Sequence, residues 1–133
     1  MAERQWGLDV ELGYLYIAFA CYTDDDLDEA EKKEIFVALS EWLPDESRSN
    51  IYALLETSFT WFKEDFSKND DDNDYVINQV VNIGSDLKNN LNTEACQAVV
   101  NDLARIGQAD GHYDETEKKW ASVLAEQLGV NAV

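Results

Sequence analysis

Four kinds of residue are scarce in this chain of 133 residues: it has one proline, one histidine, two cysteines and only 10 lysines and arginines. Cys21 and Cys96 lie far apart on apolar segments, and neither has a second cysteine or a histidine close by in sequence. A structural zinc site needs four such ligands, so zinc binding is not supported. Buried free thiols in a reducing compartment are the simpler interpretation.

The basic residues are outnumbered by 28 acidic ones, which gives a formal net charge of −18. Such a field repels the phosphates of nucleic acid and attracts cations and basic partners. We therefore expect a protein partner and no nucleic acid. The sequence also lacks a glycine-rich phosphate loop and a serine or cysteine paired with a histidine, so we expect neither an organic cofactor nor an enzyme. A hydrolase that uses only carboxylates stays open, and it would need a substrate pocket.

Long apolar runs are missing as well. The N-terminal residues do not form a cationic segment followed by an apolar one, as a secretory signal would. No stretch approaches the roughly 18 apolar residues of a membrane-spanning helix. We expect a cytoplasmic protein without direct membrane insertion.

Apolar residues are abundant, at 45% of the chain, and they recur at helical spacing in six segments. The first, from about Trp6 to Tyr22, is apolar nearly all round, which is typical of a helix buried on several sides. The second segment follows Asp28 and ends at Pro44. Asp45 and Glu46 open the third segment, and Thr93 caps the fifth. The fourth and sixth segments each have an apolar stripe that is predicted to face the core. The stripe of the fourth segment is Ile77, Val80, Val81, Gly84, Leu87 and Leu91, and that of the sixth is Trp120, Val123, Leu124 and Leu128. Since strand signals are absent, residues 1–133 are predicted to form one all-α domain, a bundle of about six helices.

Two acidic segments organise the chain. Asp110-Gly-His-Tyr-Asp-Glu-Thr-Glu-Lys-Lys lies 86 residues after Asp24-Asp-Asp-Leu-Asp-Glu-Ala-Glu-Lys-Lys and repeats six of its ten residues. Each is an Asp-x-x-x-Asp-x-x-Glu box, here called an acidic box, between two apolar segments. The pattern predicts a duplicated helix–acidic loop–helix unit, with one copy at about 7–43 and the other at about 93–129.

One interpretation of the boxes is helix capping. Asp28 with Glu31, and Asp114 with Glu117, have the spacing at which two side chains bind the free N–H groups of a helix start, worth roughly 1 kcal/mol per cap. Capping does not account for Asp24 and Asp110. Both precede the cap by four residues, near the end of the previous helix, where the helix dipole disfavours a carboxylate.

The second interpretation is cation binding. The loop folds the chain back, so the three acids of a box converge, and two carboxylates ~5 Å apart repel by roughly 3 kcal/mol at an effective dielectric constant of ~20. A bound cation would remove that repulsion, and oxygen ligands select calcium or magnesium. Neither box is an EF-hand, because a loop that starts at Asp24 has Glu29 and Ile35 where glycine and glutamate are required. The candidate metal ligands are Asp24, Asp28 and Glu31 in the first box and Asp110, Asp114 and Glu117 in the second.

The second box also resembles a known family. Ala109, Asp110 and Gly111, with Tyr113 two residues further on and Glu117 at a helix start, are similar to the signature of the TerB-like family, the tellurite-resistance domain that also occurs in DjlA-type co-chaperones. The first copy departs from it, with Thr23 and Asp25 in place of alanine and glycine. The resemblance implies an all-helical duplicated bundle, an acidic surface that binds divalent metal, and a non-enzymatic role with partner proteins in bacterial stress systems.

The two interpretations of the boxes give two hypotheses about function. In the first, the protein is a TerB-like protein that binds divalent cations through its acidic boxes. In the alternative, it is an acidic protein–protein interaction module in which the acids of the boxes are only helix caps. An acidic mimic of nucleic acid is a more distant alternative, and the concentration of acids in two loops argues against it. Salt-sensitive partner binding that is indifferent to chelator would distinguish the interaction module from the cation-binding protein.

Overall fold

The computed structural model describes residues 7–21, 29–67, 74–109 and 115–131. Within these ranges every regular element is an α-helix, so the predicted all-α bundle of about six helices is confirmed. The helices are α1 (Leu8–Cys21), α2 (Glu29–Trp42), α3 (Arg48–Ser67), α4 (Asp74–Asn90), α5 (Thr93–Gly107) and α6 (Glu115–Leu128).

Helix α1 lies at the centre of the bundle, as its apolar composition on all sides predicts. It packs against α2, α3, α4 and α5. Even its polar aromatic residues, Tyr14 and Tyr16, are fully buried. The closest approach is to α3, where a Cβ added at Gly13 would lie 2.4 Å from Ser58 Oγ. A glycine at this position therefore sets the distance between the two helices.

The position at which a helix begins is set more by a side chain that accepts a backbone N–H than by acidic residues nearby. The prediction that Asp45 and Glu46 open the third helix was wrong, because Ser47 Oγ accepts the backbone N–H of Asn50 and the helix begins at Arg48. The side chain of Asn92 likewise caps α5 in place of Thr93, accepting the N–H of Ala95. Two stops were predicted correctly: α2 ends before Pro44, and Gly129, which follows α6, has a φ of 76°.

Helices α4 and α6 bury narrower faces than periodicity predicts. The buried apolar residues are Val76, Ile83 and Leu87 on α4, and Ala121, Leu124, Ala125 and Leu128 on α6. Val81 and Val123, both predicted to point inward, are 46% and 47% exposed. On each of these two helices the apolar stripe is wider than the face that the other described helices cover.

Candidate functional site

Of the six predicted metal ligands, the structure describes the side chain of one. Asp24, Asp28, Asp110 and Asp114 lie outside the described residues, as does His112. Glu117 is part of α6, but its side chain is also outside the described part. Glu31 lies in the first turn of α2 and is only 6% exposed. A carboxylate removed from water in this way needs a partner, and Glu31 has one within the protein.

Along the chain, the two acidic boxes join α1 to α2 and α5 to α6. Two contacts link α2 to α5: Trp42 donates to Asp102, and Arg105 lies beside both Glu34 and Glu41. The second box begins directly after α5, and the first box ends at Glu31 in α2.

Phe19, in the last turn of α1, and Trp120, in the second turn of α6, line the same groove.

No group of three or more histidine, cysteine, aspartate or glutamate side chains that could hold a metal ion occurs among the described residues. Most of the two boxes lies outside these residues, so this result concerns the helical body of the protein. The acids of that body have other partners, which form two buried clusters and one pair between helices.

The first buried cluster joins α1, α2 and α5. The Tyr16 hydroxyl donates to Asp102 Oδ2 at 2.7 Å, and the Trp42 indole N–H donates to the same oxygen at 2.8 Å. Burial raises the pKa of Asp102, although both hydrogen bonds and the nearby Arg105 oppose the rise. Burial and the neighbouring Asp102 carboxylate also raise the pKa of Tyr16, so this phenol stays protonated and acts as a donor.

Arg105 extends this cluster to the surface. Its guanidinium lies 3.2 Å from Glu34 Oε2, 3.1 Å from Glu41 Oε1 and 3.4 Å from Asp102 Oδ1. Hydrogen bonding to Glu41 is the main reason why the pKa of Arg105 is raised. One cation is thus shared by three carboxylates on two helices.

A second buried aspartate ties α3 to α1 and α4. Tyr14 donates its hydroxyl hydrogen bond to Asp65 Oδ2 at 2.7 Å, and the Gln79 amide donates to the same oxygen at 3.3 Å. Asp65 is completely buried. The burial of Asp65 and Asp102 was not predicted from the sequence. A signal was present, since each stands at helical spacing on an apolar stripe, Asp65 beside Phe62 and Asp102 beside Val99 and Ile106.

Two carboxyl groups meet between α1 and α4. Burial raises the pKa of Glu11 to about 7, and both the charge of Asp86 and a hydrogen bond to it add to the rise. Glu11 is buried and Asp86 is exposed. A carboxyl group with this pKa carries its proton over much of the range below neutrality, which lets it donate to the second carboxylate.

An apolar groove runs between α4 and α6, with α1 as its floor. Its volume is about 50 Å³, and among its lining residues are Leu15, Phe19, Val80, Val81, Trp120 and Val123. At one end the Gln127 amide donates to the backbone carbonyl oxygen of Val81 at 2.8 Å and to Ser85 Oγ at 3.3 Å. These two bonds hold α4 and α6 at a fixed spacing.

The fold and the sequence define the class of the protein: a small all-α bundle in which two acidic segments connect α1 to α2 and α5 to α6. The family model of the tellurite resistance protein TerB matches residues 16–133, a range that includes both acidic boxes. The chain therefore belongs to the TerB family, as the resemblance of its second box implied. No curated protein and no solved structure matches the chain. Among the described residues, no helix is long and apolar enough to cross a membrane.

Proposed function

We propose that this TerB-family protein is a non-enzymatic, stress-associated protein that binds one or two divalent cations, calcium or magnesium, through its two acidic boxes. The ligands would be Asp24, Asp28 and Glu31 in the first box, and Asp110, Asp114 and Glu117 in the second. The observation that carries the proposal is the repeat of the Asp-x-x-x-Asp-x-x-Glu box, 86 residues apart, in a chain that belongs to the TerB family.

Electrostatics supports the same proposal. The net charge of −18 already raises the concentration of cations near the protein. The three carboxylates within each box would repel one another, and a divalent cation would turn that repulsion into attraction. The cation would then join the helices flanking each loop and stabilise the folded state.

Thermal unfolding tests the proposal. Chelator-treated protein is unfolded with added calcium or magnesium at fixed ionic strength. A cation at a hundred times its dissociation constant that binds only the folded state adds about 2.7 kcal/mol, which appears as a higher midpoint. The double variant Asp110→Asn, Asp114→Asn should lose this shift.

The matched control is Asp45→Asn, Glu56→Gln, which removes two negative charges from exposed positions outside the boxes. It should keep the shift. If both double variants respond to calcium and magnesium as the unchanged protein does, the boxes are not the binding site. A small, identical shift with every divalent ion would mean that the ions only screen the surface.

The second candidate function is an acidic protein–protein interaction module in which the acids of the boxes are only helix caps. The apolar groove between α4 and α6 favours it, because Val81 and Val123 remain exposed there. Partner binding by such a module weakens with salt and does not change when a chelator is added.

A further inference from the structure

Two apolar residues line the same groove and are exposed there, although helical periodicity places both in the core. Val81 on α4 and Val123 on α6 both line it and are each almost half exposed. Elsewhere α4 packs against α1 and α3, and α6 packs against α5. The groove is therefore the place where the sequence supplies apolar surface that the described bundle does not bury.

The groove is formed before any partner arrives. The bonds from Gln127 to the Val81 carbonyl and to Ser85 fix the spacing of α4 and α6 at one end. A cleft between two helices accepts the apolar side chains of a third helix, which recur at positions i, i+3, i+4 and i+7. Because its walls are already fixed, little conformational freedom is lost on binding.

Charge selects among the occupants of this groove. A second copy of the chain would bring another net charge of −18, so self-association is opposed. An anionic lipid surface is repelled for the same reason. A cationic segment is attracted by the same charge.

We propose that the groove between α4 and α6 binds a basic amphipathic helix of a partner protein. Its apolar face contacts Val81, Trp120 and Val123, and its lysines and arginines are attracted by the net negative charge of the protein. This inference develops the interaction-module candidate and does not depend on cation binding by the acidic boxes. The two proposals can therefore fail separately.

The test uses two fluorescent peptides of 18 residues made of leucine and lysine, with binding followed by fluorescence anisotropy in a buffer that contains chelator. One peptide has leucines at helical spacing, and the other has the same composition in an order without an apolar face. We expect the amphipathic peptide to bind at least about tenfold more tightly than the permuted one. Added calcium or magnesium should not strengthen its binding.

The variants Val81→Asp and Val123→Asp should each weaken binding of the amphipathic peptide by about tenfold or more. The added carboxylate would strengthen a purely electrostatic association with a basic peptide, so a loss of affinity reports apolar contact. Val37→Asp is the matched control, with the same substitution at a valine of α2 that is 37% exposed and outside the groove. It should leave the affinity unchanged or slightly higher.

Three results would overturn the proposal. The first is equal affinity for the two peptides. The second is an equal loss of affinity in Val37→Asp and in the two groove variants. The third is a dimer in sedimentation that dissociates in Val81→Asp and Val123→Asp, because the occupant is then a second copy. Circular dichroism of each variant verifies folding, and the two groove variants serve as independent tests of one site.

Discussion

The hydroxyl of Tyr16 donates a hydrogen bond of 2.7 Å to Asp102, the residue 86 positions later in the chain. The same offset of 86 residues superimposes the second acidic box on the first. Positions that correspond in the two halves of the predicted duplication are therefore in direct contact. An approximate twofold axis that passes between α1 and α5 would have this consequence. The contact supports the duplication, which stays a prediction.

The Tyr16→Phe variant should lower the free energy of unfolding by about 1–2 kcal/mol, because it removes one donor from a buried carboxylate. Trp42 still donates to Asp102, so folding is retained. Urea unfolding measures the effect. Tyr52→Phe is the control, since Tyr52 is 49% exposed, and it should change stability by less than about 0.5 kcal/mol. Equal effects of the two variants would contradict a structural role for the Tyr16 hydroxyl.

Glu11 predicts a pH dependence of stability. Its pKa rises from 4.5 to about 7 on folding, chiefly through burial. Between these two values the folded state binds more protons than the unfolded state, so stability should fall as the pH rises from about 4.5 to 7. The loss that this group causes is on the order of 2 kcal/mol.

The variant Glu11→Gln removes the titrating group and keeps a side chain that can donate to Asp86. Its free energy of unfolding, measured in urea from pH 4.5 to 7.5, should decline less steeply than that of the unchanged protein. Parallel curves for the two proteins would show that Glu11 does not titrate in this range.

Gly13→Ala should destabilise the fold by about 1–3 kcal/mol, because the new methyl group would lie 2.4 Å from Ser58 Oγ in a fully packed interface. This cost exceeds the ~1 kcal/mol by which alanine favours a helix over glycine. Adding Ser58→Ala removes that oxygen and should restore part of the loss, which a double-mutant cycle measures. Simple additivity of the two changes would contradict the steric explanation.

Gly84→Ala is an informative comparison for Gly13→Ala. There the new methyl group meets the amide end of Gln127, at 2.6 Å. The amide end of Gln127 can rotate away at the cost of its two hydrogen bonds to α4, whereas the Ser58 side chain is too short to move far from the backbone of α3. We therefore expect Gly84→Ala to cost less than Gly13→Ala in the same unfolding experiment.

Arg105→Gln should lower stability by about 1–3 kcal/mol, because Glu34, Glu41 and Asp102 lose their shared cation. The loss should grow as the pH rises, since without Arg105 the pKa of Asp102 increases further and ionisation of Asp102 costs more in the folded state. Lys33→Gln changes the charge equally at an exposed position of α2 and is the control. A loss no larger than that of the control would contradict the role of Arg105 as the shared cation.

Much of the fold follows from local properties of the sequence. The apolar composition of α1 on all sides predicts its central position, and the single proline predicts the end of α2. The caps at Ser47 and Asn92 were missed because several polar residues compete at each helix start, and backbone geometry selects one of them. The exposure of Val81 and Val123 could not be predicted, since periodicity defines an apolar stripe but not the width that neighbouring helices cover.

The site was predicted less completely than the fold. The repeat drew attention to the acidic boxes, of which the structure describes only the side chain of Glu31. The burial of Asp65 and Asp102 was not predicted, because the periodicity of apolar residues does not assign an aspartate to the core. Their burial depends on hydroxyl donors from Tyr14 and Tyr16 on another helix, and a pairing across 51 or 86 residues leaves no local pattern.

The central position of α1 has a consequence for synthesis. This helix is translated before the other five, and it is apolar nearly all round. Asp102, which receives the hydrogen bond of Tyr16, is added 86 residues later. At about 5–20 residues per second that interval lasts roughly 4 to 17 seconds. During it an apolar helix without its full set of neighbours is exposed at the ribosome, so the nascent chain should be a substrate for chaperones that bind apolar segments until α5 arrives.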